Sequence, residues 1–248
     1  MSAYASLAAS YDGLTTDIPY ENILDFLETI LRKSGKQPET VLDLACGTGS
    51  MSLLLAKRGY RVIASDLSEE MLTVAAQKTA DLERPPFYIC QPMQRLRLPE
   101  PVDAVFCLLD SLNYLDQPQD CKKTIERVYK ALKPGGVFLF DVNTPEKLRG
   151  LDGQVFLDEN EESYCVWRAE FDEEDNCCYY GIDLFQKEGN RWKRSFEQHC
   201  EYAYDPQELA KWLAEAGFAR VEQYGDCRQE TPAAGEQRIY FAAYKEKT

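Results

Sequence analysis

Two glycines that follow an apolar run are the residues of this chain best placed to do chemistry. The run at residues 41–44 contains Asp43, Gly47 and Gly49 come soon after it, and a helical pattern begins at residue 51. Glycine tolerates positive φ and has no Cβ, so the backbone N–H groups of such a turn can approach a ligand closely. Asp66 closes the next apolar run nineteen residues after Gly47, the offset at which a carboxylate reaches the hydroxyls of a bound ribose. Together these residues predict a nucleoside site.

The carboxylate of Asp43 indicates the charge of the ligand. A dinucleotide would bring a pyrophosphate to the turn and to the N-terminus of the following helix. Asp43 lies four residues before Gly47 and would repel that anion, whereas it would attract an ammonium beside a sulfonium. The turn is therefore predicted to bind a cationic ligand end.

Four segments, in chain order, resemble the motifs of class I S-adenosylmethionine-dependent methyltransferases. They are residues 43–50, 66–72, 102–107 and 132–138. The resemblance is good over residues 38–143 and looser in the flanks. It implies an enzyme that uses S-adenosyl-L-methionine as its cofactor, and its motif style loosely resembles amino-sugar and glycine-type N-methyltransferases. A small-molecule acceptor with a methylated nitrogen or oxygen is expected, and an amine is favoured.

The resemblance also implies which residues hold the cofactor. The glycine backbone and Asp66 would bind it, Leu67 and Met71 would contact the adenine, and the carbonyl of Cys107 or Leu108 would take the ammonium. An N-terminal segment folds over the cofactor in such enzymes, where electron-rich tyrosine rings attract a sulfonium. The complete predicted set is Tyr11, Tyr20, Asp43, Ala45, Cys46, Gly47, Gly49, Asp66, Leu67, Met71, Gln91, Pro92, Met93, Cys107 and Leu108.

One position departs from the family pattern. Relatives commonly place an acidic residue before Met93 to receive the adenine amino group, and this chain has Pro92 there. Either Gln91 or a backbone group replaces that contact, or the adenine is held less specifically.

The pattern of apolar runs predicts the elements that carry these residues. Residues 40–143 alternate strand and helix, which is typical of a parallel sheet with helices on both faces. Strands at 219–224 and 238–244 would complete a Rossmann-like, seven-stranded, mostly parallel sheet whose last strand is antiparallel. N-terminal lid helices are expected at 1–37, the cofactor-binding domain at 38–148 and 204–248, and an inserted antiparallel β subdomain at 149–203.

The insertion is read from three β-rich runs at 162–171, 177–187 and 191–204, joined by turn signals. Residues 151–200 hold thirteen acidic and five basic residues, so this segment is not a nucleic-acid surface. In similar enzymes such an insertion roofs the active site or forms the subunit contact.

Catalytic residues are harder to predict, because a sulfonium methyl group is already activated. His199 is the only histidine, and strand alternation places it on one face with Glu197. It could take a proton from the acceptor, or it could be a packing histidine. Asp110, Asn113 and Tyr114 follow the fourth strand, where the methyl-accepting atom should lie. Asp110 could instead simply cap its loop.

Composition limits the partners and the compartment. The net charge is −14, without a basic stripe, which disfavours nucleic acid. No apolar run reaches membrane-spanning length, and the N-terminus lacks a signal-peptide layout. Nine cysteines without C-x-x-C spacing indicate reduced thiols in a cytoplasmic protein, and no metal site is predicted. A monomer or homodimer is expected. The rival hypotheses are a methyltransferase acting on protein or RNA, and a non-catalytic cofactor-binding or assembly protein.

Overall fold

A seven-stranded sheet and a four-stranded sheet organise the computed structural model, which describes residues 8, 11–33, 35 and 37–247. The strands are β1 Thr40–Leu44, β2 Arg61–Asp66, β3 Phe87–Cys90, β4 Val102–Cys107, β5 Leu132–Asn143, β6 Val155–Glu159, β7 Ser163–Asp172, β8 Cys177–Glu188, β9 Arg191–Tyr202, β10 Arg220–Tyr224 and β11 Arg238–Tyr244. The large sheet has the order β10-β11-β5-β4-β1-β2-β3, and β11 pairs antiparallel with both neighbours. The predicted Rossmann-like fold is confirmed.

Helices cover both faces of this sheet. They are α1 Tyr11–Leu14, α2 Tyr20–Lys33, α3 Ser50–Lys57, α4 Glu69–Thr79, α5 Pro118–Ala131, α6 Pro145–Gly150 and α7 Pro206–Ala216. Local chemistry sets several of their ends, as the sequence predicts. The Ser68 hydroxyl accepts the N–H of Met71 at the start of α4, and Asp205 caps α7 in the same way. Gly217 ends α7 with φ 110°, a conformation that glycine adopts without strain.

Two apolar cores lie on opposite faces of the large sheet. Leu24 and Leu27 of α2 pack with Leu55 of α3 on one face, and Ile125 of α5 packs with Leu209 of α7 on the other. Helix α2 therefore belongs to the layer packed on the sheet and is not a lid. The predicted lid segment at 1–37 extends over residues 1–7, 9, 10, 34 and 36, which lie outside the described residues.

The four-stranded sheet has the order β6-β7-β8-β9, with every pair antiparallel. The expectation of three strands was wrong by one, because β6 was not recognised. Its residues Val155 and Leu157 are 58% and 60% exposed, so this edge strand lacks the alternation of buried and exposed positions that identifies a strand. Helix α6 was also missed. It is one short turn with Thr144 as its N-cap.

Strand β5 starts earlier than predicted. The sequence indicates a helix to residue 132, a break over 133–136 and a strand from 137, whereas β5 begins at Leu132, directly after α5. Gly136 permits this path, because a Cβ there would lie 3.0 Å from the Asp103 carbonyl oxygen. Among the described residues, no helix is both long and apolar enough to cross a bilayer.

Candidate active site

A cavity of about 570 Å³ opens where the parallel strands end. Leu44 ends β1, Asp66 ends β2, and Leu108 follows β4, and all three residues line the cavity wall. Gln198, His199 and Cys200 of β9 line the same cavity. The C-terminal ends of parallel strands are where open α/β sheets bind ligands. The inserted sheet therefore borders the ligand end of the large sheet and not its opposite edge.

The glycine turn and the second acidic motif meet in one hydrogen-bonded unit. Asp66 accepts the backbone N–H of Gly47 at 2.8 Å through one carboxylate oxygen and the N–H of Ser68 at 2.9 Å through the other. Gly47 has φ 53°, and Ala45 has φ 60°. Burial raises the pKa of Asp66. This carboxylate fixes the turn and still has lone pairs for ligand hydroxyls.

Gly49 has a packing role and does not line the cavity. Its φ is 75°, and a Cβ would lie 2.8 Å from the Cβ of Ala75. This glycine therefore lets α3 and α4 approach closely. Its predicted place among the cofactor contacts stays a prediction.

Asp43 lines the cavity as a buried carboxylate. It accepts a hydrogen bond from the hydroxyl of Ser52. Burial raises the pKa of Asp43 to about 6, although the Ser52 hydrogen bond opposes the rise. A cation bound beside it would favour the ionised form.

Helix α1 is fastened to the glycine turn. Asp12 accepts a hydrogen bond from Thr48 at 2.6 Å and pairs with Lys78 at 2.6 Å. These contacts bring Tyr11 to the cavity, which Tyr20 also lines. Burial, with a further contribution from Tyr20, raises the pKa of Tyr11, so its ring stays a neutral phenol.

The end of the cavity near β3 offers a flat apolar wall. It is lined by Leu67, Met71, Pro92 and Met93. The Leu67 side chain is 57% exposed, so it is open to contact with a ligand. The side-chain amide of Gln91 is engaged by the Arg97 backbone, at 3.0 and 3.2 Å.

The Gln91 amide already has these partners, and what replaces the missing acidic contact stays a prediction. Gln94, which the sequence analysis did not single out, also lines the cavity.

The segment after β4 brings acidic side chains to the cavity. Asp110, Asp116 and Asp120 line it, and Arg238 is the arginine among the lining residues. Arg238 pairs with Asp110 at 2.6 Å. Asp110 is therefore held by a guanidinium.

His199 of β9 lines the cavity in a buried position. Its Nε2 is 3.2 Å from a carboxylate oxygen of Glu197, which confirms that the two side chains share one face of β9. The ring of Tyr114 packs edge-on against the imidazole, with centroids 6.2 Å apart.

Three other predicted site residues do not line the cavity. Cys107 is fully buried in β4. The Asn113 side chain donates to the carbonyls of Asn143 and Tyr202, each at 3.0 Å, and accepts the N–H of Asn143. It therefore joins its loop to β5 and β9, and its predicted role as a substrate contact is corrected. Glu197 lies behind His199 as its hydrogen-bond partner.

The remaining predicted residues that the structure brings to the cavity are Tyr11, Tyr20, Asp43, Ala45, Cys46, Gly47, Asp66, Leu67, Met71, Gln91, Pro92, Met93, Leu108, Asp110, Tyr114 and His199. Their individual roles stay predictions. Arg238 was missed because it lies 128 residues from Asp110 in the sequence and carries no local signal. Asp116 and Asp120 follow Tyr114 closely, in the segment already expected to face the acceptor.

The residues present fit a cationic nucleoside cofactor better than a dinucleotide. Five aspartates and one arginine line the cavity, and two of the aspartates, Asp43 and Asp66, flank the glycine turn. A pyrophosphate would meet these carboxylates, whereas a sulfonium and an ammonium would be stabilised by them. Within the described part of the chain, no cluster of His, Cys, Asp or Glu has the arrangement of a metal site.

This fold and this site define an S-adenosylmethionine-dependent methyltransferase. A methyltransferase domain family matches residues 41–136. The Bacillus subtilis (strain 168) protein YqeM, which is named as a methyltransferase, is 32% identical over 99% of this chain and 98% of its own. The chain belongs to the class I S-adenosylmethionine-dependent methyltransferase family.

Two further comparisons support the assignment. The crystal structure of an S-adenosylmethionine-dependent methyltransferase from Clostridium acetobutylicum ATCC 824 has a TM-score of 0.87 and 29% identity, covering 99% of this chain and 100% of that one. A glycine/sarcosine N-methyltransferase of Halorhodospira halochloris is 28% identical over 82% of this chain and 73% of its own. The cofactor of this protein is S-adenosyl-L-methionine.

Proposed function

We propose that this methyltransferase transfers the methyl group to the amine nitrogen of a small molecule. The observation that carries the proposal is the charge of the cavity lining that follows β4. Asp110, Asp116 and Asp120 line the cavity, and the one arginine there is already paired with Asp110. Such a surface favours a cationic or neutral acceptor over an anionic one.

The similarity to a glycine/sarcosine N-methyltransferase, a protein named for amine acceptors, supports the same class of acceptor. The acidity of the inserted sheet, with thirteen acidic and five basic residues over 151–200, argues against an RNA substrate. A lining that draws residues from both sheets and from α1 suits a ligand enclosed by the protein better than a protein surface.

When bound, S-adenosyl-L-methionine supplies a methyl group that is already activated on its sulfonium. The chain therefore has to align the acceptor and exclude water. The acceptor nitrogen must also be neutral, although free alkylamines are largely protonated because their pKa lies near that of lysine, roughly 10.4. The site has to accept one proton.

We assign that proton to His199. A proton taken up by the imidazole would be stabilised by the Glu197 carboxylate, which lies 3.2 Å from Nε2. Tyr114, edge-on against the ring, would hold its orientation. The Asp110 carboxylate, tied to Arg238, would then bind an acceptor N–H.

The cysteines support a reducing compartment. All nine are free, and Cys107, Cys121, Cys165, Cys177 and Cys178 are buried. Unpaired buried thiols are typical of cytoplasmic proteins, and we propose that this enzyme works there.

A paired panel of acceptors tests the proposal. Each amine is offered beside the alcohol of the same carbon skeleton, for example an amino sugar beside its parent sugar, and formation of S-adenosylhomocysteine is measured. We expect turnover with amines. Turnover confined to the alcohols would establish O-methylation, and turnover only with added protein or RNA would overturn the small-molecule assignment.

A variant of Asp116 supplies the control for charge. Asp116→Asn should raise KM for a cationic amine several-fold while leaving the affinity for S-adenosylhomocysteine unchanged. An unchanged KM would remove Asp116 from acceptor recognition.

A further inference from the structure

The loop after β4 has an unusual backbone. Leu109 and Asp110 both have positive φ, 56° and 51°. A bulky non-glycine residue in this region is an outlier, and two in succession persist only where surrounding contacts hold them. Both residues line the cavity, so the strained turn faces the ligand.

The contacts that hold the turn come from one buried carboxylate. Asp141 of β5 is fully buried and accepts the N–H of Leu109 at 2.7 Å and that of Asp110 at 3.0 Å. Arg238 of β11 donates to Asp141 and, at 2.6 Å, to Asp110. Successive backbone N–H groups form a cradle for an anion, and here the anion is the protein's own side chain.

This arrangement determines where two carbonyls point. The N–H of Leu109 and the carbonyl of Leu108 belong to one peptide group, and the N–H of Asp110 shares a group with the carbonyl of Leu109. The described residues contain no cis peptide bond, and in a trans peptide the N–H and C=O point in opposite directions. Because both N–H groups turn towards Asp141, both carbonyls turn away from it.

We infer that Asp141 is a positioning residue which, together with Arg238, aims the Leu108 and Leu109 carbonyls into the cavity as a subsite for the ammonium group of the cofactor. Asp141 does not line the cavity, but Leu108 and Leu109 do. The Leu108 carbonyl accepts the Ser111 hydroxyl at 2.7 Å, and a carbonyl oxygen has a second lone pair for a ligand donor. Asp141 thus acts through the backbone and never touches the ligand.

Two ligands separate positioning from general stability. S-adenosylhomocysteine carries the ammonium, whereas its deamino analogue, with hydrogen in place of the amino group, keeps the adenine, ribose, thioether and carboxylate without it. Affinities for both are measured by calorimetry on the purified full chain. In Asp141→Asn we expect the affinity for S-adenosylhomocysteine to fall about tenfold or more, while the affinity for the deamino analogue changes less than about twofold.

Asp103 provides a matched control. It also accepts two successive backbone N–H groups, those of Glu39 at 3.1 Å and Thr40 at 2.9 Å, and pairs with Lys133 at 2.8 Å. It lies at the start of β4, away from the cavity. Asp103→Asn should leave the ratio of the two affinities unchanged, even if the melting temperature falls.

Equal losses for the two ligands in Asp141→Asn, or no loss for either, would overturn the inference. If that variant does not fold and binds neither ligand, Arg238→Gln replaces it in the test. We expect its affinity to fall about threefold for S-adenosylhomocysteine only. An unchanged ratio of the two affinities would be the contrary result. No acceptor takes part in these measurements, so their outcome is independent of the proposed amine substrate.

Discussion

The Nε2 atom of His199 lies 3.2 Å from a carboxylate oxygen of Glu197 in a buried part of the cavity wall. A carboxylate this close stabilises the imidazolium that forms when the ring accepts a proton. Asp110, Asp116 and Asp120 line the same cavity, and we propose this pair as the proton acceptor for an amine nucleophile.

Removing the imidazole should therefore slow methyl transfer without loss of cofactor. We expect His199→Ala to lower turnover about 10²-fold, with the calorimetric affinity for S-adenosylhomocysteine unchanged. His199→Gln fills the space without supplying a base and should be as slow. If the glutamine variant keeps wild-type turnover, the role of His199 is packing.

The Asp66 carboxylate should contribute directly to cofactor affinity. Asp66→Ala removes charge-assisted hydrogen bonds to the ligand and should weaken binding by about 1.5–3 kcal/mol. Asp81→Ala, which removes an exposed carboxylate after α4, controls for the change in net charge. Equal affinities of wild type and Asp66→Ala in calorimetry would show that the second motif is wrongly placed.

Asp43 should make cofactor binding depend on pH. Because burial raises the pKa of Asp43 to about 6, the folded protein without ligand holds a proton there that the unfolded chain releases. The contribution of Asp43 to the free energy of unfolding is therefore present at low pH and is lost as the pH rises from about 4 to about 6.

Cation binding has the opposite pH dependence, because it requires the ionised form. The affinity for S-adenosyl-L-methionine should rise about tenfold between about pH 5 and pH 7, and Asp43→Asn should flatten this part of the profile. If the affinity of Asp43→Asn depends on pH as steeply as that of the wild type, another group causes the pH dependence, and Asp66 is the first candidate.

Gly49 and Gly59 flank helix α3 and offer a matched test of packing. Both have positive φ, 75° and 93°, but only Gly49 has a close neighbour, at 2.8 Å from an added Cβ, whereas nothing lies within 4 Å at Gly59. Each change to alanine carries backbone strain, and Gly49→Ala adds a clash between α3 and α4. The free energy of unfolding should fall about 1–3 kcal/mol further in Gly49→Ala than in Gly59→Ala, as measured by denaturant titration. Equal losses would exclude the clash.

Local sequence chemistry predicted that the glycine turn and Asp66 meet at one edge of the sheet. Gly47 and Asp66 meet at 2.8 Å, because a strand, a turn and a following strand of a parallel sheet bring their ends to one edge. The helix caps Ser68 and Asp205 could also be predicted from the sequence, because a cap depends only on residues two or three positions away.

The part of the site that follows β4 depends on contacts between residues that are distant in sequence. Asp110 meets Arg238 and Asp141 across three strands, and nothing near Arg238 in the chain indicates that partner. Asn113 looked like a ligand group, but its amide bonds to the backbone of β5 and β9, a use that only the assembled sheets reveal. Strand β6 escaped detection because its apolar residues are exposed on an edge.

We propose that the transferred methyl group ends on the amine of a small molecule. The direct measurement incubates the protein with S-adenosyl-L-methionine carrying an isotope-labelled methyl group and a cell extract, then separates small molecules from macromolecules and locates the label by mass spectrometry and NMR. We predict label in the low-mass fraction, bound to nitrogen, and its loss in Asp66→Ala. Label in protein or RNA, or on an oxygen of the small molecule, would contradict the proposed transfer to a small-molecule amine.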